Sequence, residues 1–185
     1  MPIYLKTLLL SFSLLLAYRP VSGQTNNARI VYVKAITDAR QSKIDQLMAK
    51  SGQSYKEEDL EGAIRYAGKA IDLDSNSAAA YFSRGTLQLD DFKFDEAIAD
   101  LDKALSIEPY MATALANRAF ARIRKYQFAN SRTLSKNKDV TVMASKDKVD
   151  IPPAEKEKIC SDLNKAIFLG DKTKMILEAL RDYCQ

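Results

Sequence analysis

Cys160 and Cys184 are the two cysteines of a 185-residue chain that contains no histidine. Without histidine, a Ser-His-Asp triad, a Cys-His pair and a His-bearing zinc site are all impossible. Two thiols cannot build a four-thiolate site either. The chemistry left to the pair is oxidation to a disulfide, or burial as two apolar thiols. The other concentration of reactive groups is Asp90, Asp91 and Asp95. A calcium loop needs oxygen ligands at regular spacing with Gly at the bend. Here the spacing is wrong and no Gly lies among them, so they read as helix-terminating and capping carboxylates, with Asp95 as an N-cap. Lys156–Lys158 and Arg122–Lys125 read as solvated helix faces. No Gly-rich phosphate loop is present. Catalysis by carboxylate or lysine is conceivable, but nothing in the spacing points to it. The expectation is a protein that is not an enzyme and uses no metal and no cofactor.

The composition says what kind of scaffold must hold these groups. The chain is 46% hydrophobic and 28% charged, enough apolar residues for a packed core. It has only six Gly and five Pro, which favours long uninterrupted elements over a turn-rich β-sandwich. The formal net charge is +4. Lys6 and Arg19 fall in a segment expected to be removed, which leaves about +2. That is no concentrated basic face, so no nucleic-acid partner is expected.

Residues 1–23 read as a secretory signal peptide. Lys6 supplies the early positive charge, and Thr7–Ala17 is an apolar run of about 11 residues, the length of a signal core. A membrane-spanning helix needs about 20. Arg19 and Pro20 break the run, and Val21-Ser22-Gly23 places small residues for a cut before Gln24. The alternative is an uncleaved anchor. No Cys follows the run, which excludes lipidation there. The expected location is therefore periplasmic or extracellular, with no stable membrane insertion after removal of the signal. The mature domain would be residues 24–185.

Local signals divide that domain into helices. A first helix over about 29–50 is expected to break at Gly52, and Ser54-Tyr55-Lys56-Glu57 reads as a capping box opening the next, which runs to about Leu73. Asp74-Ser75-Asn76-Ser77 is a turn. Helices follow at about 78–90, 95–107, 111–127 and 153–169, with Pro109 stopping one and Pro152-Pro153 starting another. Gly170 ends that helix, and a final one covers about 172–184 with Ile176, Leu180 and Cys184 on one face.

The helices repeat. A lag of 34 carries Ala63 to Ala97, Ile64 to Ile98, Lys69 to Lys103, Ala70 to Ala104 and Arg84 to Arg118. Lys103-Ala104-Leu105 recurs at Lys165-Ala166-Ile167, a lag of 62, or one more repeat plus an insertion. The best unit runs Tyr81, Gly85, Ala97, Leu101, Ala104, Pro109. In this it resembles the tetratricopeptide repeat family. It departs at Arg84, where Leu is usual, and at Gln88, where Tyr is usual. The small residues Ala63, Ala97, Gly85 and Ala119 stand where paired helices must approach closely. Leu101, Leu105, Ile107, Leu163 and Ile167 recur at helical spacing to fill the space between hairpins.

The resemblance implies an all-α right-handed superhelix of three helical hairpins, about 29–75, 78–109 and 111–170, plus a capping helix at 172–184. Residues about 127–153 form an insertion in the third hairpin, where about three or four residues would suffice. Within it Val140–Met143 is a β-type run, with Val149–Ile151 as a possible return strand; a solvated loop is the other reading. The resemblance also implies a concave groove lined by Phe82, Thr86, Leu89, Ala116, Asn117, Phe120 and Arg124, taking a protein or an extended peptide. Family members that clamp a peptide carboxylate carry an Asn in the place of Asn117. The Lys and Asn that complete the clamp would fall at Phe82 and Thr86 and are absent. The function expected is a non-catalytic adaptor or scaffold. The alternative is a structural subunit of an envelope complex, held through its outer faces and the 127–153 insertion.

The expected turn between the last two helices also bears on the cysteines. Cys160 and Cys184 are equidistant from residue 172, so antiparallel helices joined there bring them to the same height. Helix rotation decides whether they come close enough to bond. Export would supply the oxidising environment, and a Cys160–Cys184 disulfide is expected.

Overall fold

The computed structural model describes residues 25–129, 132–136, 141–144 and 149–185. The segment read as an export signal lies outside the described residues. The chain falls into two compact units, Met1–Ser42 and Lys43–Gln185. The described part of the first, residues 25–42, is helical. The second holds the repeats.

Seven helices are described: α1 (Thr25–Lys56), α2 (Leu60–Leu73), α3 (Ala78–Asp90), α4 (Phe94–Ile107), α5 (Ala112–Ala129), α6 (Pro153–Phe168) and α7 (Lys174–Tyr183). Their starts and stops have local causes. Ser77 accepts a hydrogen bond from the Ala80 amide at 3.3 Å and caps α3. Pro153 opens α6 at the position where its missing N–H costs nothing. Gly170 closes α6 at φ +100°, a conformation that favours glycine, and the Asp171 amide reaches back to the Ala166 carbonyl at 3.0 Å.

Two expected boundaries move. The first helix does not break at Gly52; it runs on to Lys56. Gly52 is exposed, and one glycine costs a helix only about 1 kcal/mol. Ser51 and Ser54 on either side are buried, and Ser51 Oγ donates to the Ala63 carbonyl at 2.8 Å. Ser54 is therefore part of α1 rather than a cap. Asp59 caps α2, accepting from the Gly62 amide at 2.8 Å. Asp95 is not the N-cap of α4 either: Lys93 holds that position, and Asp95 sits in the first turn. The repeat explains both. Glu58 and Phe92, 34 residues apart, each take a left-handed conformation, at φ 62° and 57°. The same turn joins α1 to α2 and α3 to α4.

Close approach is made by the residues expected to allow it. Ala63, Ala97 and Ala119 are fully buried. A Cβ on Gly85 would lie 3.0 Å from Leu101 Cγ and 3.2 Å from the Ala97 carbonyl oxygen, tight against α4. The main core joins α4 to α7 through Leu101, Leu115, Ile159, Leu163 and Ile176. A second cluster joins α1, α2 and α3 through Ile44, Leu47, Ile71 and Ala80.

The departure at Arg84 has a partner. Its guanidinium grips Asp100 on α4 with bonds of 2.6 and 2.8 Å. One repeat on, Arg118 grips Asp162 on α6 in the same two-pronged way, at 2.8 and 2.6 Å. One repeat back, Lys50 lies 5.8 Å from the Tyr66 ring. Each hairpin thus ties its two helices by a cation on the first and an acceptor on the second.

Arg122 corrects the reading of Arg122–Lys125 as a solvated face. It is buried, donates to Asp162 at 2.8 Å and lies 3.6 Å from Glu155. Burial acts to lower the pKa of Arg118, and the bonds to Asp162 and Asp102 outweigh it, holding the guanidinium above its ordinary value.

The insertion contributes two antiparallel strands, β1 (Arg132–Lys136) and β2 (Thr141–Ala144), with a register shift between Thr133 and Ser135. The return strand is the preceding polar segment, not Val149–Ile151. Ile151 is instead packed against the main core as the chain enters α6. Among the described residues the domain is otherwise all-α, as expected.

Candidate functional site

The faces of α3 and α5 that do not pack on their own hairpin partners meet α7 around a concavity of about 380 Å³. Thr86 and Leu89 come from α3, and Asn117, Phe120 and Arg124 from α5. These are five of the seven residues expected in a groove. Phe82 lines a neighbouring hollow of about 290 Å³ with Met48, Ser51 and Tyr55 of α1. Thr86 and Asp90 border both hollows. Ala116 lines neither; it is buried in the main core. Helical geometry explains the difference, since Ala116 is one residue, about 100°, from Asn117.

The polar groups of the floor are already organised. Asn117 Nδ2 donates to Thr86 Oγ1 at 3.0 Å, and Thr86 Oγ1 donates to the Phe82 carbonyl at 2.9 Å. This fixes the amide of Asn117 across the α3–α5 seam while leaving its Oδ1 available. Asp90 accepts from the Tyr55 hydroxyl at 3.0 Å, and that bond, with the carboxylate's charge, raises the Tyr55 pKa above its ordinary value.

The sequence reading missed the far wall. Met175, Glu178, Ala179, Asp182 and Tyr183 of α7 close the concavity. Their spacing of three and four was the available signal: it marks a second face of α7, which meets the buried one at Ala179. Tyr183 accepts a hydrogen bond from Gln127 Nε2 at 2.8 Å, tying α7 to α5. Cys160 and Cys184 form a disulfide with their Cα atoms 5.6 Å apart, which fastens the end of α7 to α6.

Asp90, Asp91 and Asp95 do not converge. Asp90 serves Tyr55, Asp91 pairs with Lys93 at 2.6 Å, and Asp95 pairs with Lys125. Among the described residues no group of acidic or thiol side chains is placed to hold a metal ion. No helix among them is long and apolar enough to cross a membrane.

Residues 78–110 match the family model of the tetratricopeptide repeat. No curated protein matches the chain in sequence. Among solved structures, the TPR domain of Arabidopsis OM64 superposes with a TM-score of 0.58 at 18% identity, over 77% of this chain and 94% of that one. The second TPR domain of human RPAP3, in complex with the HSP70 peptide SGPTIEEVD, gives 0.59 at 16% identity, over 79% and 98%. The TPR2B domain of yeast Sti1, in a complex with pHsp70, gives 0.59 at 17%, over 78% and 98%. At these identities the likeness is one of fold. Residues 78–110 match a tetratricopeptide repeat, and the described helices on either side share the fold of TPR domains.

Proposed function

We propose that the protein is an exported, non-catalytic binding module that takes an extended segment of a partner protein along the α3–α5–α7 concavity. The observation that carries this is the concavity itself. It has an apolar lining in Leu89, Phe120 and Met175, and beside that lining stands an amide, Asn117, held in place by Thr86. Apolar surface supplies affinity, and a few fixed polar groups set the direction of a bound main chain. Two of the solved relatives, from human RPAP3 and yeast Sti1, are complexes with an HSP70 peptide and with pHsp70. The disulfide is in keeping with an oxidising compartment.

Screening an array of nonapeptides, with hydrogen exchange on the hits, tests the site. Binders should protect amides of α3, α5 and α7. Met175→Ala removes an exposed side chain of the lining and should weaken such binding about tenfold without moving the unfolding midpoint. Protection confined to the outer helices α2, α4 and α6 would favour a structural subunit instead. Export has its own test: the intact mass of the secreted protein should begin at Gln24. A membrane-bound product retaining residues 1–23 would overturn it.

A further inference from the structure

The ionisable groups around the concavity are unevenly matched. Asp90, Glu178 and Asp182 line it with a single cation, Arg124. Asp90 also borders the neighbouring hollow, which has no cation in its lining. We propose that the segment bound here is cationic: an extended stretch with Lys or Arg side chains alternating with apolar ones. This rests on the reading of the concavity as a peptide site and names the chemistry of its occupant.

The geometry supplies both halves of that pattern. Glu178 and Asp182 are four residues apart on α7, so they share one helix face with Met175 and Ala179 between and below them. Leu89 and Phe120 stand opposite on α3 and α5. An extended strand points successive side chains to opposite sides, so alternate residues reach the carboxylates while the others meet the apolar lining. Both α7 carboxylates have exposed partners on their own helix: Glu178 lies 3.7 Å from Lys174, and Asp182 lies 2.8 Å from Arg181. Exposed pairs of this kind contribute little and give way to a better-placed cation. Phe120 and Tyr183 add ring faces on which a guanidinium can lie. Arg124 makes no ion pair among the described residues, which leaves its guanidinium to donate to main-chain carbonyls of the bound strand.

Three fluorescein-labelled octapeptides test this against the purified, disulfide-bonded protein: Leu alternating with Lys, with Ser, and with Glu. The Lys peptide should bind at least tenfold more tightly than the Glu peptide, and raising the salt concentration should narrow the gap. Glu178→Gln with Asp182→Asn should cost the Lys peptide about tenfold and leave the Ser peptide unchanged. Both side chains are about half exposed, and an unchanged urea midpoint checks that the fold is intact. Equal binding of all three, or tightest binding of the Glu peptide, with protection in α3, α5 and α7, overturns the cationic inference while the groove stands. Lys-peptide binding that ignores the double substitution is attraction to another surface and overturns it as well. If none of the three protects the concavity, the groove reading falls with it.

Discussion

Asp162→Ala lowers the free energy of unfolding by about 3–5 kcal/mol. Asp162 is 4% exposed and is the shared acceptor of Arg118 and Arg122, with three bonds of 2.6–2.8 Å. Removing the carboxylate leaves two guanidinium groups, 18% and 10% exposed, without their shared acceptor. Like charge and lost hydrogen bonds then act together. The remaining acceptors compensate only in part: Asp102 bonds Arg118 at 2.6 Å but is half exposed and lies 3.8 Å from Arg122, and Glu155 lies 3.6 Å from Arg122. Asp95→Ala is the control. Its pair with Lys125 is exposed on both sides, and its loss changes stability by less than about 1 kcal/mol. Urea unfolding of both variants measures the contrast. An Asp162→Ala loss below about 1 kcal/mol would mean the guanidinium groups reach water and the network does not hold α5 to α6.

Replacing both cysteines by serine costs about 3 kcal/mol, because the bond closes a loop across a sequence separation of 24. The loss is felt first at the C-terminus. Helix α7 is ten residues long and buries Ile176 and Ala179. A helix that short is marginal without tertiary support. In the double serine variant, amides of α7 should exchange well before those of α4 and α5, and the concavity should lose its Met175–Tyr183 wall. Equal urea midpoints for the oxidised and the serine proteins would show the bond to be dispensable.

Much of the architecture was legible because its signals are local or strictly periodic. Ser77, Pro153 and Gly170 act on the neighbouring backbone alone, and each marks a boundary seen in the structure. The lag of 34 aligned Gly85 with Ala119 and Ala63 with Ala97 before any contact was known. One local motif misled where the lag held the answer. Ser54-Tyr55-Lys56-Glu57 has the form of a capping box, yet Glu58 is the repeat equivalent of Phe92, and the turn sits there. Packing decided it: Ser54 is covered by tertiary neighbours and is unavailable as a cap.

What the sequence by itself determined, then, is the helical repeat, the insertion and the heights of the two cysteines. These follow from chain geometry, since rise per residue and repeat period are the same wherever the helix lies. Only the tertiary structure decided which side of each helix faces what. It rotated α7 so that Cys184 meets Cys160 and Glu178 and Asp182 turn toward the concavity. It also placed Asp162 beside Arg118 and Arg122, across 44 and 40 residues of chain, and so made a buried anchor of what the sequence shows as a run of surface charge. The physical reason is that rotation about a helix axis is set by the summed packing of its neighbours, and no residue of the helix encodes it alone.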